Sequence, residues 1–343
     1  MPTDALRRAM RQLTSGGSLS RDDAAAAFDE VMSGEASAAQ IAALLVGLRV
    51  KGESPDEVAG AASALRRVMV ALPAADPAGL VDTCGTGGGA LTTFNISTAA
   101  ALLAAGAGAR VAKHGNRSFT SRSGSADVLE ALGVAIEAPL ATMERALEEA
   151  GIVFMYAPQM HPAMKHVGPV RRELAIPTVM NIVGPLANPA GAGRQVVGVA
   201  EARRVPLIAG ALAALGSRHA LVVHGEPGMD EVSPLGPTHV VEVRDGAMRE
   251  WTIEPAKLSM VARSADELAG GDPADNARVI EALLQGHGSK GATAAVVLNA
   301  AAAIYLGNLA PDFAGGVELA RQALVHGKGM RALELLRAVY AKR

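Results

Sequence analysis

The chain has 343 residues, of which 32 are Lys or Arg and 34 are Asp or Glu, so its formal net charge is −2. This length predicts about two structural units, and the near-neutral charge without a long basic run argues against a nucleic-acid partner. The longest apolar stretches, residues 99–109 and 205–216, fall short of the ~20 residues that span a membrane. The single cysteine, Cys84, has no partner for a disulfide, which fits a reducing compartment. We therefore expect a cytoplasmic protein with no membrane partner.

The first 70 residues contain helix start signals and no strand pattern. Ser37 and Ser54 each begin a capping box, with Gln or Glu three residues later. Pro55 takes the first helical position, where its missing N–H costs nothing. Apolar residues recur at helical spacing in both segments, which predicts amphipathic helices. Pro73 and Pro77 then break the pattern and mark a boundary.

Beyond this boundary, short apolar runs alternate with helical stretches. Strands are predicted at residues 79–82, 110–113, 151–155, 195–199 and 220–223, and helices at 95–109, 127–132 and 206–215. Such alternation predicts an α/β fold with a mainly parallel central sheet flanked by helices. Residues 162–185 interrupt it with a helical piece that we expect to pack against the N-terminal helices. The predicted units are a small all-helical domain (residues 1–74 with 164–186) and a large α/β domain (residues 75–163 with 187–343).

The first chemical signal is a glycine-rich segment, Gly85-Thr-Gly-Gly-Gly89, directly after a predicted strand. Glycines allow several backbone N–H groups to converge on one anion. Residues 92–98 then place hydroxyl and amide groups at a helix N-terminus, which favours phosphate. The segment matches neither a Walker loop nor a dinucleotide-binding fingerprint. An ordinary glycine-rich turn with a Ser/Thr cap remains an alternative.

A second polar segment, residues 113–125, follows the next predicted strand. It contains Lys113, Arg117, Arg122, an asparagine and several hydroxyl groups. Loops at the carboxyl ends of parallel strands bind ligands in α/β folds, so this segment is a candidate anion site. The alternative is a solvated basic turn.

A third signal is the carboxylate pair Asp230-Glu231, which follows the apolar strand at residues 220–223. Mg²⁺ prefers oxygen ligands and commonly uses one or two carboxylates together with substrate phosphates. The pair is therefore a candidate magnesium site, with an acidic surface turn as the alternative.

Taken together, these segments closely resemble the anthranilate phosphoribosyltransferases, a family of nucleoside-phosphorylase-like phosphoribosyltransferases. The resemblance covers almost the whole chain and rests on GTGG…TFNISTA, VAKHGNRS, SGSADVLEALG, HPAMK…GPVRRELAIPTVMNIVGPLANP and GMDEVS, in this order. It implies transfer of the phosphoribosyl group of 5-phosphoribosyl-1-pyrophosphate (PRPP) to anthranilate, giving N-(5-phosphoribosyl)anthranilate and pyrophosphate in tryptophan biosynthesis. It also implies Mg²⁺, with two ions per monomer, and a homodimer formed through the helical domain.

The resemblance further implies the site residues. Gly85, Asn116 and Arg171 would contact anthranilate, with Arg171 as the carboxylate partner. Ser97, Asp230 and Glu231 would hold Mg²⁺. Lys113, Ser97 and Arg171 would carry catalysis. The residues implied to hold PRPP are Gly88, Gly89, Thr93, Asn95, Ile96, Ser97, Thr98, Lys113, His114, Gly115, Asn116, Arg117, Ser118, Phe119, Thr120, Ser121 and Ser125.

No nucleophile–base set is visible in the sequence, and direct attack of the anthranilate nitrogen on the ribose C1 requires none. His114 is interpreted as a loop-shaping or substrate-contact histidine, because an aniline is uncharged near pH 7 and needs no base before attack. His161 and His166 lack a matching third ligand, so the sequence does not predict a zinc site. Substrates are expected to meet in the cleft between the two domains, which closes by a hinge motion.

One position departs from the family pattern, in which the loop usually reads Gly-Thr-Gly-Gly-Asp-Gly. Here Gly89 and Ala90 replace its last two residues, so the acidic side chain is missing. We expect this change to tune the site and not to abolish activity. Two other functions are considered, a pyrimidine nucleoside phosphorylase-like enzyme and a non-catalytic nucleic-acid-binding relative of the same fold.

Overall fold

The structure, a computed structural model, describes residues 4–118 and 122–341. Its sheet consists of β1 (Val81–Gly85), β2 (Val111–Gly115), β3 (Ile152–Tyr156), β4 (Arg194–Gly198), β5 (His219–Gly225), β6 (Thr238–Arg244) and β7 (Ala247–Ile253). The spatial order is β3-β2-β1-β4-β5-β6-β7. Strands β1 to β5 pair in parallel, whereas β6 and β7 are antiparallel. The predicted α/β class with a mainly parallel sheet is confirmed.

Helices surround this sheet and form a bundle at the N-terminus. Those of the N-terminal part and of the first crossovers are α1 (Ala5–Thr14), α2 (Arg21–Met32), α3 (Ala38–Lys51), α4 (Pro55–Val68), α5 (Ile96–Gly106), α6 (Ser125–Ala131), α7 (Leu140–Glu149) and α8 (Ala157–Met160). Those that follow are α9 (Met164–Leu174), α10 (Met180–Val183), α11 (Val205–Ala214), α12 (Pro273–Leu284), α13 (Lys290–Leu306), α14 (Phe313–Val325) and α15 (Lys328–Ala341). No helix in the described ranges is long and apolar enough to cross a membrane.

Both predicted capping boxes are present. The Ser37 hydroxyl accepts a hydrogen bond from the N–H of Gln40, whose side chain accepts one from the N–H of Ser37. Ser54 and Glu57 form the same reciprocal pair at the start of α4. Glu57 is fully buried and also binds the N–H of Leu19, so this cap ties α4 to the segment before α2.

The helical piece near residues 162–185 lies where the sequence predicts it. Helix α9 packs against α2 and α3, and α10 packs against α4. The apolar core of this bundle continues through α11 onto one face of the sheet, where Val197 and Val222 belong to the same cluster. A second core lies on the opposite face around α5 and α13. The exact domain bounds stay a prediction.

The hairpin of β6 and β7 is not among the elements predicted from the sequence. Its turn is Asp245-Gly246, and both residues have positive φ angles, 48° and 84°. An Asp-Gly pair is favoured in such tight turns because both positions require left-handed backbone. Strand β7 begins with four exposed residues, so it lacks the buried apolar run that identifies the central strands.

Candidate active site

The candidate active site is a cleft at the carboxyl ends of the parallel strands. The chain builds β1, β2 and β3 in one direction and then places β4 on the other side of β1, so the strand order reverses there. Ligands bind outside the strand ends at such a switch point. A cleft of about 1210 Å³ opens at this position. It is lined from the sheet side by the ends of β1 and β2, and from the helical side by α9 and α10.

The glycine-rich segment forms one wall of the cleft and is packed against Asp230. Gly87 donates its N–H to Asp230 Oδ2 at 2.9 Å. A Cβ atom at Gly85 would lie 2.7 Å from Asp230 Oδ2, and one at Gly89 would lie 2.9 Å from Asp230 Oδ1. Gly87 and Gly88 have φ angles of +70° and +79°, which few other residues adopt. Position 89, where this chain lacks the acidic residue of the family pattern, therefore lies where the glycine-rich segment contacts Asp230.

The second wall is the N-terminus of α5. Ser97 lines the cleft, whereas Thr98 is buried beneath it and does not line it. The Asn95 side chain accepts hydrogen bonds from Ser123 Oγ at 3.0 Å and Asn276 Nδ2 at 2.9 Å, and donates one to Ser123 O at 3.1 Å. Asn95 therefore links the start of α5 to the second polar segment and to α12.

Lys113 is buried at the end of β2, close to the hydroxyl of Ser97. Its Nζ donates to Thr83 O at 2.5 Å and lies 3.4 Å from Ser97 Oγ. Burial lowers the pKa of Lys113, while the negative charges of Asp82 and Glu231 oppose that shift. Asp82 is itself held by Asn188 Nδ2 at 2.8 Å and by the N–H of His114 at 3.2 Å. The ammonium group is thus fixed by strand-borne partners beside the α5 terminus.

The segment after β2 is shaped by Asp127 on α6. Its carboxylate accepts hydrogen bonds from the N–H groups of Ser118 and Gly124, at 3.1 and 2.8 Å. Partial burial opposes a low pKa at Asp127, but these bonds and Arg117 hold it below its usual value. Arg117 also pairs with Glu130 at 2.5 Å. The side chain of Arg117 is therefore already engaged by two carboxylates, although the residue lines the cleft.

Asp230 and Glu231 lie in the cleft beside the glycine loop. Burial and the neighbouring Asp230 raise the pKa of Glu231 to about 8, with Lys113 opposing the shift. Burial also raises the pKa of Asp230, against the hydrogen bond from Gly87. Two adjacent carboxylates at low exposure repel one another, and a cation would relieve that repulsion. Among residues 4–118 and 122–341, no three or more His, Cys, Asp or Glu side chains form a metal-binding group. The carboxylate oxygens of Asp230 and Glu231 fit Mg²⁺, which completes its coordination shell with substrate oxygens.

The helical side of the cleft supplies Arg171 from α9. It has no hydrogen bond or ion pair to any side chain in the described ranges, and burial lowers the pKa of its guanidinium. The guanidinium remains charged in proteins because its ordinary pKa exceeds 12. A half-buried guanidinium without a side-chain partner in the described ranges is well suited to bind a carboxylate through two parallel hydrogen bonds. Lys165 and Arg172 line the same side.

His114 and His161 form a buried pair in the cleft, with ring centroids 4.9 Å apart. His114 Nε2 and both ring nitrogens of His161 are buried without a well-aligned hydrogen bond in the described residues, although the backbone of Gly184 lies near His114 and that of Ala187 near His161. Burial is the main cause that lowers the pKa of His114 to about 3, and the nearby His161 is the second. Burial lowers the pKa of His161 to about 4. Both rings are therefore neutral near pH 7. In the sequence, His161 is a candidate only as a metal ligand, and nothing in the pattern indicates its contact with His114.

The structure brings nearly all of the predicted site residues together. Those that line the cleft are Gly85, Gly88, Gly89, Thr93, Asn95, Ile96, Ser97, Lys113, His114, Gly115, Asn116, Arg117, Ser118, Ser125, Arg171, Asp230 and Glu231. Phe119, Thr120 and Ser121 lie outside the described residues. The supporting residues Asn188 and Asn276 were not predicted, because their contacts join segments far apart in the chain. Asp127 was not predicted either, although its partners Arg117, Ser118 and Gly124 lie within ten residues of it.

Comparison with known proteins identifies the family. The family model described as "Glycosyl transferase family, a/b domain" matches residues 77–330, and the helical bundle domain of that family matches residues 7–69. The anthranilate phosphoribosyltransferase of Anaeromyxobacter dehalogenans is 50% identical over 335 residues, which cover 96% of this chain and 97% of that protein. The chain belongs to the anthranilate phosphoribosyltransferase family.

Solved structures of family members support the same assignment. The crystal structure of anthranilate phosphoribosyltransferase from Thermus thermophilus has a TM-score of 0.92 at 41% identity and covers 99% of this chain and 100% of that one. The Saccharomyces cerevisiae enzyme in complex with PRPP and Mg has a TM-score of 0.87 at 27% identity and covers 98% of both chains. The predicted resemblance and the two-part fold are confirmed.

Proposed function

We propose that this chain transfers the phosphoribosyl group of PRPP to anthranilate, releasing pyrophosphate, as a step of tryptophan biosynthesis. The observation that carries the proposal is the pairing of two kinds of site in one cleft. Its sheet side offers a glycine loop, a helix N-terminus and a carboxylate pair, and its helical side offers Arg171, which has no side-chain partner among the described residues. The first group suits a phosphorylated donor with its cation, and the second suits an aromatic carboxylate.

The donor is proposed to bind between the glycine loop and the α5 N-terminus. Backbone N–H groups at both places can donate hydrogen bonds to phosphate oxygens, and the dipole of α5 favours negative charge at its N-terminus. Lys113, whose ammonium lies 3.4 Å from Ser97 Oγ, supplies a positive charge at this position. Thr93, Asn95 and residues 114–118 are proposed to contact PRPP through the same wall, with Ser125 beside them. Asn116 and Gly85 are proposed to contact anthranilate together with Arg171.

Mg²⁺ is proposed to bind at Ser97, Asp230 and Glu231, with two ions per monomer. The support is the oxygen-only donor set and the yeast relative that contains PRPP and Mg. When bound, the metal stabilises negative charge on the pyrophosphate group. The protein residues then hold the donor and acceptor in line, which replaces much of the entropic cost of bringing them together.

The reaction is a direct displacement at the ribose C1 atom. The anthranilate nitrogen forms the new bond as the C1–O bond to pyrophosphate breaks, and the nitrogen afterwards loses a proton to water. His114 and His161 have pKa values of about 3 and 4, so they are weak bases and are not assigned that proton transfer. The chain acts by positioning and by electrostatic stabilisation of the leaving group through Lys113.

We also propose a homodimer formed through the helical bundle, in a cytoplasmic enzyme. The support for the dimer is the outer face of α3, where Ala39, Ala43 and Val50 are exposed at helical spacing and Val50 is 82% exposed. A second copy of the same face would cover this apolar stripe. Replacing Ala43 and Val50 with Glu is expected to give a monomer in light scattering, whereas an unchanged mass would place the interface elsewhere. The support for the compartment is the lone Cys84.

The activity is tested by following the loss of anthranilate fluorescence with purified protein, PRPP and Mg²⁺. The expected result is a loss that requires both PRPP and the metal and that stops when EDTA is added. A folded protein that consumes no anthranilate under these conditions would contradict the proposal. Parallel assays with nucleosides and phosphate then test the phosphorylase alternative.

A further inference from the structure

The acidic pair is carried by a segment without regular secondary structure. Asp230 and Glu231 lie between β5 and β6. Neighbouring backbone packs closely around them, since a Cβ atom at Gly198 would lie 1.7 Å from Asp230 O and one at Gly225 would lie 2.5 Å from Glu231 O. These glycines permit the close approach, but they have no side chains that fix it. Metal-binding side chains on an irregular segment depend on outer partners for their orientation.

One buried side chain supplies that restraint. Asn299 Oδ1 accepts a hydrogen bond from the N–H of Val232 at 2.9 Å, and its Nδ2 donates to Val232 O at 2.9 Å. The same Nδ2 donates to Ala295 O at 2.9 Å, one turn earlier in α13. Val232 directly follows Glu231, so a single amide holds both backbone polar groups of the next residue. Asn299 is only 3% exposed.

The position of Asn299 in α13 is unusual for an asparagine. The helix is buried on all sides from Ala294 to Leu306, and its other buried side chains there are apolar except for Tyr305. Asparagine is unfavourable in helix interiors, and burying its amide group costs free energy unless the group is fully hydrogen-bonded. All three hydrogen bonds of Asn299 are made within this core, where α13 packs against α5 and α14. The amide therefore connects the most deeply buried helix to the acidic segment.

We propose that Asn299 is a positioning residue for the Asp230–Glu231 pair and sets its affinity for the divalent cation. The inference rests on the proposed metal role of that pair. Alanine at 299 leaves the N–H and C=O of Val232 buried without partners, and the segment relaxes to satisfy them elsewhere. The two carboxylates then lose their orientation toward the cleft.

The test measures Mn²⁺ binding by electron paramagnetic resonance of the free ion, with PRPP present and anthranilate absent. Asn299→Ala is expected to raise the Kd for Mn²⁺ about tenfold. The matched control is Val297→Ala, which removes buried atoms from the same helix but no hydrogen bond to residue 232, and is expected to leave that Kd within about twofold. Asn299→Asp, when protonated in its buried site, keeps one acceptor and one donor for Val232 and is expected to lie between Asn299→Ala and the unmodified protein.

Two further measurements separate failure of this inference from failure of the metal assignment. Thermal unfolding of each variant confirms that it is folded before binding is compared. The double variant Asp230→Asn with Glu231→Gln is expected to abolish most Mn²⁺ binding. If it does so while folded Asn299→Ala binds like Val297→Ala, Asn299 is a structural residue only and the inference is wrong. If the double variant binds Mn²⁺ normally, the metal site itself is misassigned. If Asn299→Ala does not fold, a Kd for Asn299→Asp equal to that of Val297→Ala overturns the inference.

Discussion

The backbone N–H of Gly87 donates a hydrogen bond to Asp230 Oδ2 at 2.9 Å, which joins the glycine loop to the acidic pair across 143 residues of sequence. The same carboxylate faces Gly85 and Gly89, where any side chain would meet it. An anion that binds the loop N–H groups and a cation that binds Asp230 both compete with this contact. The loop and the pair therefore respond together to the donor and its metal.

Replacing Gly89 with Ala tests this connection. A Cβ atom there would lie 2.9 Å from Asp230 Oδ1, so the carboxylate or the loop must shift. We expect the KM for PRPP to rise roughly fivefold, which corresponds to about 1 kcal/mol for one weakened hydrogen bond. Steady-state kinetics at saturating anthranilate measure it. The control is Gly47→Ala in α3, where the new Cβ would make only ordinary contacts of 3.5 and 3.6 Å with Leu13. Equal KM values for both variants would show that the loop and Asp230 move independently.

Arg171 is expected to select the acceptor. Its guanidinium has no side-chain partner in the described part of the chain and lines the cleft, so its removal frees no buried carboxylate. Arg171→Ala should raise the KM for anthranilate by about 10- to 100-fold, because a hydrogen bond between charged groups contributes about 1.5–3 kcal/mol. The KM for PRPP should change little. Arg67→Ala, which removes only an exposed ion pair with Asp29, serves as the control. A rise in the KM for PRPP alone would assign Arg171 to the donor instead.

The sequence could predict which segments meet, because all of them follow parallel strands. Gly85, Gly115 and the segment with Asp230 come at or after the ends of β1, β2 and β5, and those ends share one edge of the sheet. Chain order and strand direction suffice for that inference. The Asp245-Gly246 turn carries a hairpin signal, and β6 contains the buried residues Val240, Val241 and Val243, but β7 lacks a buried apolar run and the hairpin is not among the predicted elements.

The supporting contacts could not be predicted in the same way. Asn276 reaches Asn95 across 181 residues, and Asn299 reaches Val232 across 67. A lone asparagine in an apolar helix gives no indication of its partner until the helices are packed. The pairing of His114 with His161 has the same origin, since their contact depends on how the segment after β3 returns to the cleft. Long-range packing therefore determines the residues that hold the site in shape.

Lys113 and Ser97 are expected to determine turnover. Lys113 is fixed beside the α5 N-terminus, with its Nζ 3.4 Å from Ser97 Oγ, and its loss removes stabilisation of the leaving pyrophosphate. Lys113→Ala and Ser97→Ala should each lower kcat by about 100-fold, or ~3 kcal/mol of transition-state stabilisation. Lys113→Ala should also lower the free energy of unfolding, because Asp82 then remains buried without its nearest positive charge. Lys257→Ala, at an exposed ion pair, is the control. Unchanged kcat in both single variants would refute the proposed chemistry.

His161 is expected to make stability depend on pH below neutrality. Its pKa is about 4 in the folded chain and about 6.5 when unfolded, so the unfolded state binds more protons between these values. Its contribution is therefore fully present above pH 6.5 and declines as the pH falls, by up to about 1.4 kcal/mol per unit. Glu231, with a pKa of about 8, contributes with the opposite sign over part of this range, so a single profile does not isolate the histidine. The difference in stability between the unmodified protein and His161→Asn isolates the contribution of the histidine, because Glu231 is present in both.

Urea unfolding at pH 7, 6 and 5 measures that difference. The unmodified protein should lose more stability than His161→Asn between pH 7 and pH 5. His287→Asn, at an exposed histidine, should follow the unmodified protein at every pH. Parallel profiles for His161→Asn and the unmodified protein would mean that His161 titrates with the same pKa in both states. That result would place the ring in contact with water, and not in a dry pair with His114.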